Sequence, residues 1–374
     1  MAVPLTDLTL QYHALQAEVD VAISHTLQSG TFILGPEVDA FEREAAAWCE
    51  TSLGVGVASG TDALHLALLA CGIGEGDEVL TTPFTFIATA ESIHKCGATP
   101  VFVDIEPDTC NMDLTQMERH LTPRTRGIVP VHLYGHPCDM TRLMRFASAH
   151  GLKVVEDCAQ ALGATWHGRK VGSFGDAGCL SFFPSKVLGA YGDGGMVVTS
   201  DQTIAEHVRV LRSHGSKKKY FHDYPGFNSR LDALQAAILI VKLRHLDGWL
   251  ERRRQVAADY AGLLAGAKGV SLPAERPGAR HIYNYYTVRV TGGAANRDAL
   301  AAYLKARDIA TAVYYPKSLH LQPVYEFLGH TPGGFPISEA AQDEVLSLPM
   351  YPELTAEQVH EVADAVISWS VARD

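Results

Sequence analysis

Up to about residue 200, short unbroken apolar runs alternate with longer stretches of helical periodicity. The runs Val55–Ser59, Glu78–Thr82, Pro100–Asp104, Gly127–Leu133, Lys153–Asp157, Cys179–Phe183 and Met196–Ser200 are continuous rather than alternating. That pattern predicts seven strands covered on both faces. Between most of them lie helical segments, including Asp62–Cys71, Ala88–Cys96 and Met140–His150. Ahead of them, Val19, Ile23 and Leu27 recur at helical spacing, and Glu37–Trp48 follows the loop GTFILGPEV as a second helix. The predicted fold is α/β, with a mostly parallel seven-stranded central sheet and helices on both of its faces.

Beyond residue 200 the pattern changes. Leu231–Leu250 reads as one long apolar-faced helix that runs on into ERRRQVAADYAGLL. Tyr283–Val290 alternates like a half-exposed strand, and Asn296–Arg307 and Thr355–Ser370 read as helices. We therefore expect a large domain over residues 1–249 and a smaller C-terminal α+β domain over 250–374.

Composition narrows the class of function. Of 374 residues, 47% are hydrophobic and 20% charged, ordinary values for a soluble enzyme. Thirty-one basic against 42 acidic side chains give a formal charge of −11, which argues against nucleic acid or an anionic membrane as partner. The seven cysteines are odd in number and without CxxC spacing, so a reducing cytoplasm is the expected setting. The N-terminus lacks a basic region backed by an apolar core, and no apolar stretch is long enough to span a membrane.

Chemistry concentrates where strands end. In Gly178–Met196, GCLSFFPSKVLGAYGDGGM, a turn between two buried strands presents Lys186. A lysine drawn into such a setting loses its proton more easily, and a neutral amine forms an imine with a carbonyl. After Val55–Ser59, the residues Gly60, Thr61 and Asp62 open a helix. A small-residue turn at a helix N-terminus cradles phosphate, although Thr61 or Asp62 would serve equally as an ordinary helix cap. Lys153–Asp157 ends in a carboxylate that can hold a ring nitrogen protonated, or can cap the next helix. Gln160, one turn on, can bond a phenolic oxygen. Phe86 can stack on a flat heterocycle or belong to the core. Together these residues meet the needs of pyridoxal 5'-phosphate (PLP): a cradle (Gly60, Thr61), a stacking face (Phe86), a nitrogen partner (Asp157) and an imine lysine (Lys186).

The chain also resembles the DegT/StrS-type sugar aminotransferases of PLP fold type I over nearly its whole length. The resemblance is carried by SGTDALHLAL, GDEVLTTPFTFIATA, VHLYGHPCDM, VEDCAQALGA, SFFPSKVLGAYGDGGM, GFNSRLDALQAAIL and VYYPKSLHLQP. It implies that Ser181 joins the phosphate contacts and that Gln160 meets the cofactor's O3'. It further implies that Asn228 reaches the phosphate in the neighbouring subunit, making the active unit a homodimer. A dehydratase branch of the family has histidine at the imine lysine. The presence of Lys186 favours transamination, with L-glutamate as the amino donor the resemblance suggests.

The passages HGSKKKYFHDYPGFNSRLD and SLPMYP are most similar to the branch aminating C3 of 3-keto sugar nucleotides. A UDP-2-acetamido-3-keto-glucuronate suits the basic segment around Lys217 and Arg230. A dTDP-3-keto-6-deoxyhexose and 4-keto sugars are the alternatives. Tyr314, Tyr315 and His320 are the remaining expected substrate contacts, and some relatives have histidine in place of Tyr314. No metal is expected, because His132 and His136 lie in a loop sequence rather than on one helix face. VGVASG lacks the GxGxxG spacing of a dinucleotide loop. A regulatory protein that binds PLP or a sugar nucleotide without turnover, or an NAD-dependent sugar oxidoreductase, would be the competing functions.

Overall fold

The computed structural model describes residues 2–371. Met1 and residues 372–374, the outer ends of the two expected domain ranges, lie outside the described residues. The central sheet has seven strands: β1 (Leu53–Val57), β2 (Glu78–Thr81), β3 (Thr99–Phe102), β4 (Thr125–Ile128), β5 (Lys153–Asp157), β6 (Ala177–Ser181) and β7 (Gly195–Thr199). Their spatial order is β1-β7-β6-β5-β4-β2-β3. Six run parallel, and β7 is antiparallel to both its neighbours. The run predicted over Gly127–Leu133 stops at Ile128, just ahead of Pro130, which cannot donate to a ladder.

Alternation along the strands explains why apolar runs were needed. Cys179 and Val197 join Val55, Val57 and Val155 in one core, while Leu180, Met196 and Val198 join another on the opposite face. The helices of the large region are α1 (Leu8–Ser29), α2 (Pro36–Trp48), α3 (Gly60–Ala70), α4 (Ile87–Lys95), α5 (Met140–His150), α6 (Gln202–Leu211), α7 (Ala233–Leu243) and α8 (Leu246–Leu264). α3 and α6 fill the first core, and α2 and α7 the second.

The single helix expected over Leu231–Leu250 and beyond is two helices, α7 and α8. The break falls at Arg244 and His245, whose backbone amides turn back onto Val241 and Lys242, and His245 contacts Glu18 on α1 at 3.2 Å. α8 serves two cores: Leu246 and Leu250 pack with the large sheet, whereas Val256, Tyr260 and Leu264 pack with the C-terminal elements. Those elements are a three-stranded sheet of β8 (Val270–Ser271), β9 (Tyr286–Val290) and β10 (Val345–Leu348), with helices Ala294–Lys305 and Ala356–Val371. β9 lies in the middle and is buried along nearly its whole length, not half exposed as its alternation suggested. Val3 packs into this same C-terminal core and bonds Asp308 and Ala310, so the N-terminal segment crosses over to it. No helix among the described residues is long and apolar enough to cross a membrane.

Candidate active site

Because β7 runs against its neighbours, its first residue pairs with the last residues of β1 and β6, and β5 ends beside β6 at the same edge of the sheet. That edge is where an open α/β sheet binds ligands. A cavity of about 340 Å³ opens there, lined by Gly60, Thr61, Phe86, Asp157, Gln160, Ser181 and Lys186 together with Tyr314 and Tyr315. Every cofactor residue expected from the sequence except Asn228 is thus gathered into one space.

Gly60 and Thr61 begin α3. The helix is capped by Ser59, not by Thr61 or Asp62: its hydroxyl accepts from the Asp62 amide at 3.1 Å and its carbonyl from the Ala63 amide at 3.0 Å. The amides of Gly60 and Thr61 and the Thr61 hydroxyl are left for a ligand, at the positive end of the helix dipole. Ser181, ending β6, faces this turn. A Cβ on Gly60 would stand 2.6 Å from the Ser181 Cβ, so only glycine leaves the cradle open. Gly60→Ala is expected to weaken PLP binding about tenfold or more while lowering stability by about 1–3 kcal/mol, the range for forced overpacking. Titration of PLP fluorescence quenching and thermal melts measure both. Unchanged affinity would remove this turn from cofactor binding.

Asp157 ends β5 and is 5% exposed. Thr89 donates to its Oδ2 at 2.8 Å and the Ala159 amide to its Oδ1 at 3.1 Å. Burial raises the carboxyl pKa, against which Thr89, Ala159 and the charge of Lys186 act. Lys186 sits in the β6–β7 connection, its amide bonded to the Phe183 carbonyl at 2.8 Å. Desolvation brings its pKa down to about 8, opposed by the attraction of Asp157. The Lys186 Nζ lies 5.9 Å from the centre of the Tyr285 ring.

Gln160 has its amide orientation fixed, because its Oε1 accepts from the Tyr134 amide at 2.8 Å and its Nε2 donates to the Tyr315 hydroxyl at 2.9 Å. The second Nε2 proton is left for an acceptor in the cavity. Phe86 is 55% exposed and leans on Tyr315, with ring centres 6.1 Å apart.

Four expected residues lie elsewhere. His320 is 2% exposed and bonds Glu339 at 3.1 Å, holding the segment after it in place rather than lining the cavity. Lys217, Asn228 and Arg230 belong to the segment after α6, outside the cavity of their own chain. Lys217 is exposed and 3.8 Å from Asp223, and Asn228 is exposed and accepts from Arg230. His132 and His136 do not converge: His132 turns one ring nitrogen to Glu156 at 3.1 Å and accepts from the Cys138 amide with the other, while His136 meets Asn111 and the Arg276 amide. His132, Glu156 and Cys158 bring ligand atoms within 4.8 Å of one another. Glu156, however, is engaged by the amides of Gly172, Phe174 and Gly175, so the group fixes a loop behind the site. The sequence reading missed Tyr285, whose ring lies tilted against Tyr314 with centres 4.3 Å apart, and also Thr85, Ser185 and Asp193. The aromatic cluster HIYNYYTV was the available signal for Tyr285.

A phosphate cradle, a buried carboxylate, an oriented amide and a lysine of lowered proton affinity at one end of this sheet make a site that fits PLP. The fold is that of a PLP-dependent sugar aminotransferase. The chain belongs to the DegT/DnrJ/EryC1/StrS aminotransferase family, whose sequence pattern matches residues 13–367. It is 50% identical to a protein of Geobacillus stearothermophilus named pleiotropic regulatory protein, over 98% of both chains. It is 46% identical to the dTDP-3-amino-3,4,6-trideoxy-alpha-D-glucose transaminase of Streptomyces venezuelae, over 98% of this chain and 96% of that one. The crystal structure of S. venezuelae DesV in complex with a ketimine intermediate superposes with a TM-score of 0.96, at 46% identity, over 99% of this chain and 98% of that one.

Proposed function

We propose that this chain, as a cytoplasmic homodimer, transfers the amino group of L-glutamate to C3 of a keto sugar carried on a nucleotide, of the UDP-2-acetamido-3-keto-glucuronate type. The observation that carries the reading is the convergence of Lys186, Asp157 and the Gly60–Thr61–Ser181 cradle on one aromatic-walled cavity. The relative from S. venezuelae, whose name places the amino group at C3, supports the position of attack.

When bound, PLP supplies a carbonyl that takes up the amino group and a ring that draws electrons from the bond being broken. The protein supplies the rest. Gly60, Thr61 and Ser181 hold phosphate through amides and hydroxyls. Asp157 offers a charged acceptor to a ring N–H, and the free Nε2 proton of Gln160 meets a phenolic oxygen. Lys186, with its pKa near 8, is neutral in roughly a tenth of molecules at pH 7, enough to remove and return a proton at the carbon bearing nitrogen. Phe86, Tyr285, Tyr314 and Tyr315 limit the access of water.

Two features support the homodimer. Asn228, Lys217 and Arg230 do not line their own cavity but sit on an exposed segment whose Tyr220 and Phe221 are 81% and 63% accessible. Phe32, Ile33, Phe86 and Phe183 are likewise exposed apolar groups. We assign the three polar residues to the partner's site, as the family resemblance implies.

The uronate rests on Arg230, which pairs with no carboxylate among the described residues and can grip one bidentately. The 46% identity to a dTDP-sugar transaminase favours a second reading, a dTDP-3-keto-6-deoxyhexose. Steady-state kinetics with both sugar nucleotides separate them. Arg230→Lys is expected to raise KM about tenfold for the uronate and less than about twofold for the deoxy sugar, since lysine cannot reproduce the forked contact. Equal losses on both substrates would withdraw the uronate, and no glutamate-dependent turnover of either would overturn the reading.

A further inference from the structure

We infer that Thr89 is a positioning residue for the reaction: its hydroxyl, itself fixed by Thr85, holds the Asp157 carboxylate as a pure acceptor aimed at the cavity. The inference rests on the assignment of Asp157 to the ring nitrogen of PLP.

A threonine hydroxyl has one proton to give and two lone pairs to receive with. The Thr89 hydroxyl gives its proton to Asp157 Oδ2 at 2.8 Å. Its contact with the Thr85 hydroxyl at 3.1 Å must therefore be one in which Thr85 donates. The result is a directed chain from Thr85 through Thr89 to Asp157, and all three residues are buried. Burial also removes water as a substitute donor, so the chain has no solvent replacement.

The local structure explains why the chain points this way. α4 begins at Ile87, directly after Phe86, and Thr85 and Thr89 are one helical turn apart. The same turn thus exposes Phe86 to the cavity mouth and directs Thr89 at the end of β5. With Thr89 on Oδ2 and the Ala159 amide on Oδ1, neither carboxylate oxygen can rotate away from the cavity without losing a buried bond. Thr89 is the strongest single influence opposing the effect of burial on Asp157. Without it, the carboxylate would compete harder for a proton shared with a ring nitrogen, and the ring would spend less time protonated.

Three variants test this in the holoenzyme: Thr89→Val, which keeps the shape but has no hydroxyl, Thr89→Ser, which keeps the hydroxyl, and Asp157→Asn. PLP carrying an isotope-labelled ring nitrogen reports protonation by NMR, independently of turnover. In Thr89→Val the resonance is expected to move toward that of neutral pyridine, with kcat down about ten- to a hundredfold, the span of a hydrogen bond to a charged group. Thr89→Ser is expected to restore both. If Asp157→Asn moves the resonance and Thr89→Val does not, the inference is overturned while Asp157 keeps its role. If Asp157→Asn leaves it unmoved, the assignment of Asp157 falls and the inference with it. A Thr89→Ser enzyme that behaves like Thr89→Val means that packing and not the hydroxyl matters, which also overturns it. Should Thr89→Val fail to fold, Thr89→Ala removes the hydroxyl without bulk and is judged by the same outcomes.

Discussion

Lys186→Ala is expected to lose amino transfer by at least about a thousandfold, the scale of a missing proton-transfer group, while the protein stays folded. The loss should appear in kcat, because the cradle and Asp157 that hold the cofactor remain. Residual glutamate-dependent turnover within tenfold of wild type would refute the assignment of Lys186. A second measurement, on protein freed of PLP, checks the physical cause. The folded chain holds the Lys186 proton less tightly than the unfolded chain, with a pKa near 8 against 10.5. The unfolded state therefore binds more protons between those values, and stability falls as the pH drops through this window. The burden is complete below about pH 8, absent above about pH 10.5, and amounts to roughly 3 kcal/mol. Lys186→Met keeps the apolar stem without the charge. It should melt at a higher temperature than wild type at pH 7, and the advantage should vanish near pH 10.5. Equal melting temperatures at both pH values would mean that the ammonium is not desolvated.

Asp157→Asn is the second large effect. Asparagine matches the shape but offers one acceptor oxygen and no charge, so a ring N–H loses its anionic partner. We expect kcat to fall about a hundredfold or more, with binding of PLP weakened less. Stability should hold within a few degrees of Tm. The variant removes a carboxylate whose ionisation burial already disfavours, which offsets the donor left unmatched at Thr89 or Ala159. A near-normal kcat would take Asp157 out of the chemistry, and a collapsed Tm would make its role architectural.

The sheet was legible because strands buried on both faces must be apolar throughout, and Val55, Val155 and Val197 are core residues as expected. The residues proposed for the cofactor were legible because most of them stand at or shortly after a strand end or at a helix start, where polar groups stand out. Other features left no local mark. The break between α7 and α8 has no glycine or proline at Arg244 or His245 to announce it, Gly248 lying inside α8, since both halves keep helical periodicity and tertiary contacts set the bend. Helix capping by Ser59 instead of Thr61 is a one-residue matter of backbone angle: Ser59 is extended, with φ −161° and ψ 167°. Thr89 reads as filler in a short helix, and its importance depends on a partner 68 positions away. His320 shows the converse. A histidine near aromatic residues invites a substrate role, but Glu339 and burial account for it.

The cavity draws its walls from Ser59 at one extreme of sequence and Tyr315 at the other. The turn after β1 reaches the connection carrying Lys186 only through β7, because Val57 pairs with Gly195 across most of the large sheet's sequence. That pairing of β1 with β7 is a long-range contact, which forms late when a chain folds. A partly folded chain therefore offers PLP no complete site, and occupancy selects the finished molecule by mass action. At a hundred times Kd that selection adds about 2.7 kcal/mol. Cofactor supply should consequently set how much of this protein survives cellular quality control, as well as how fast it turns over.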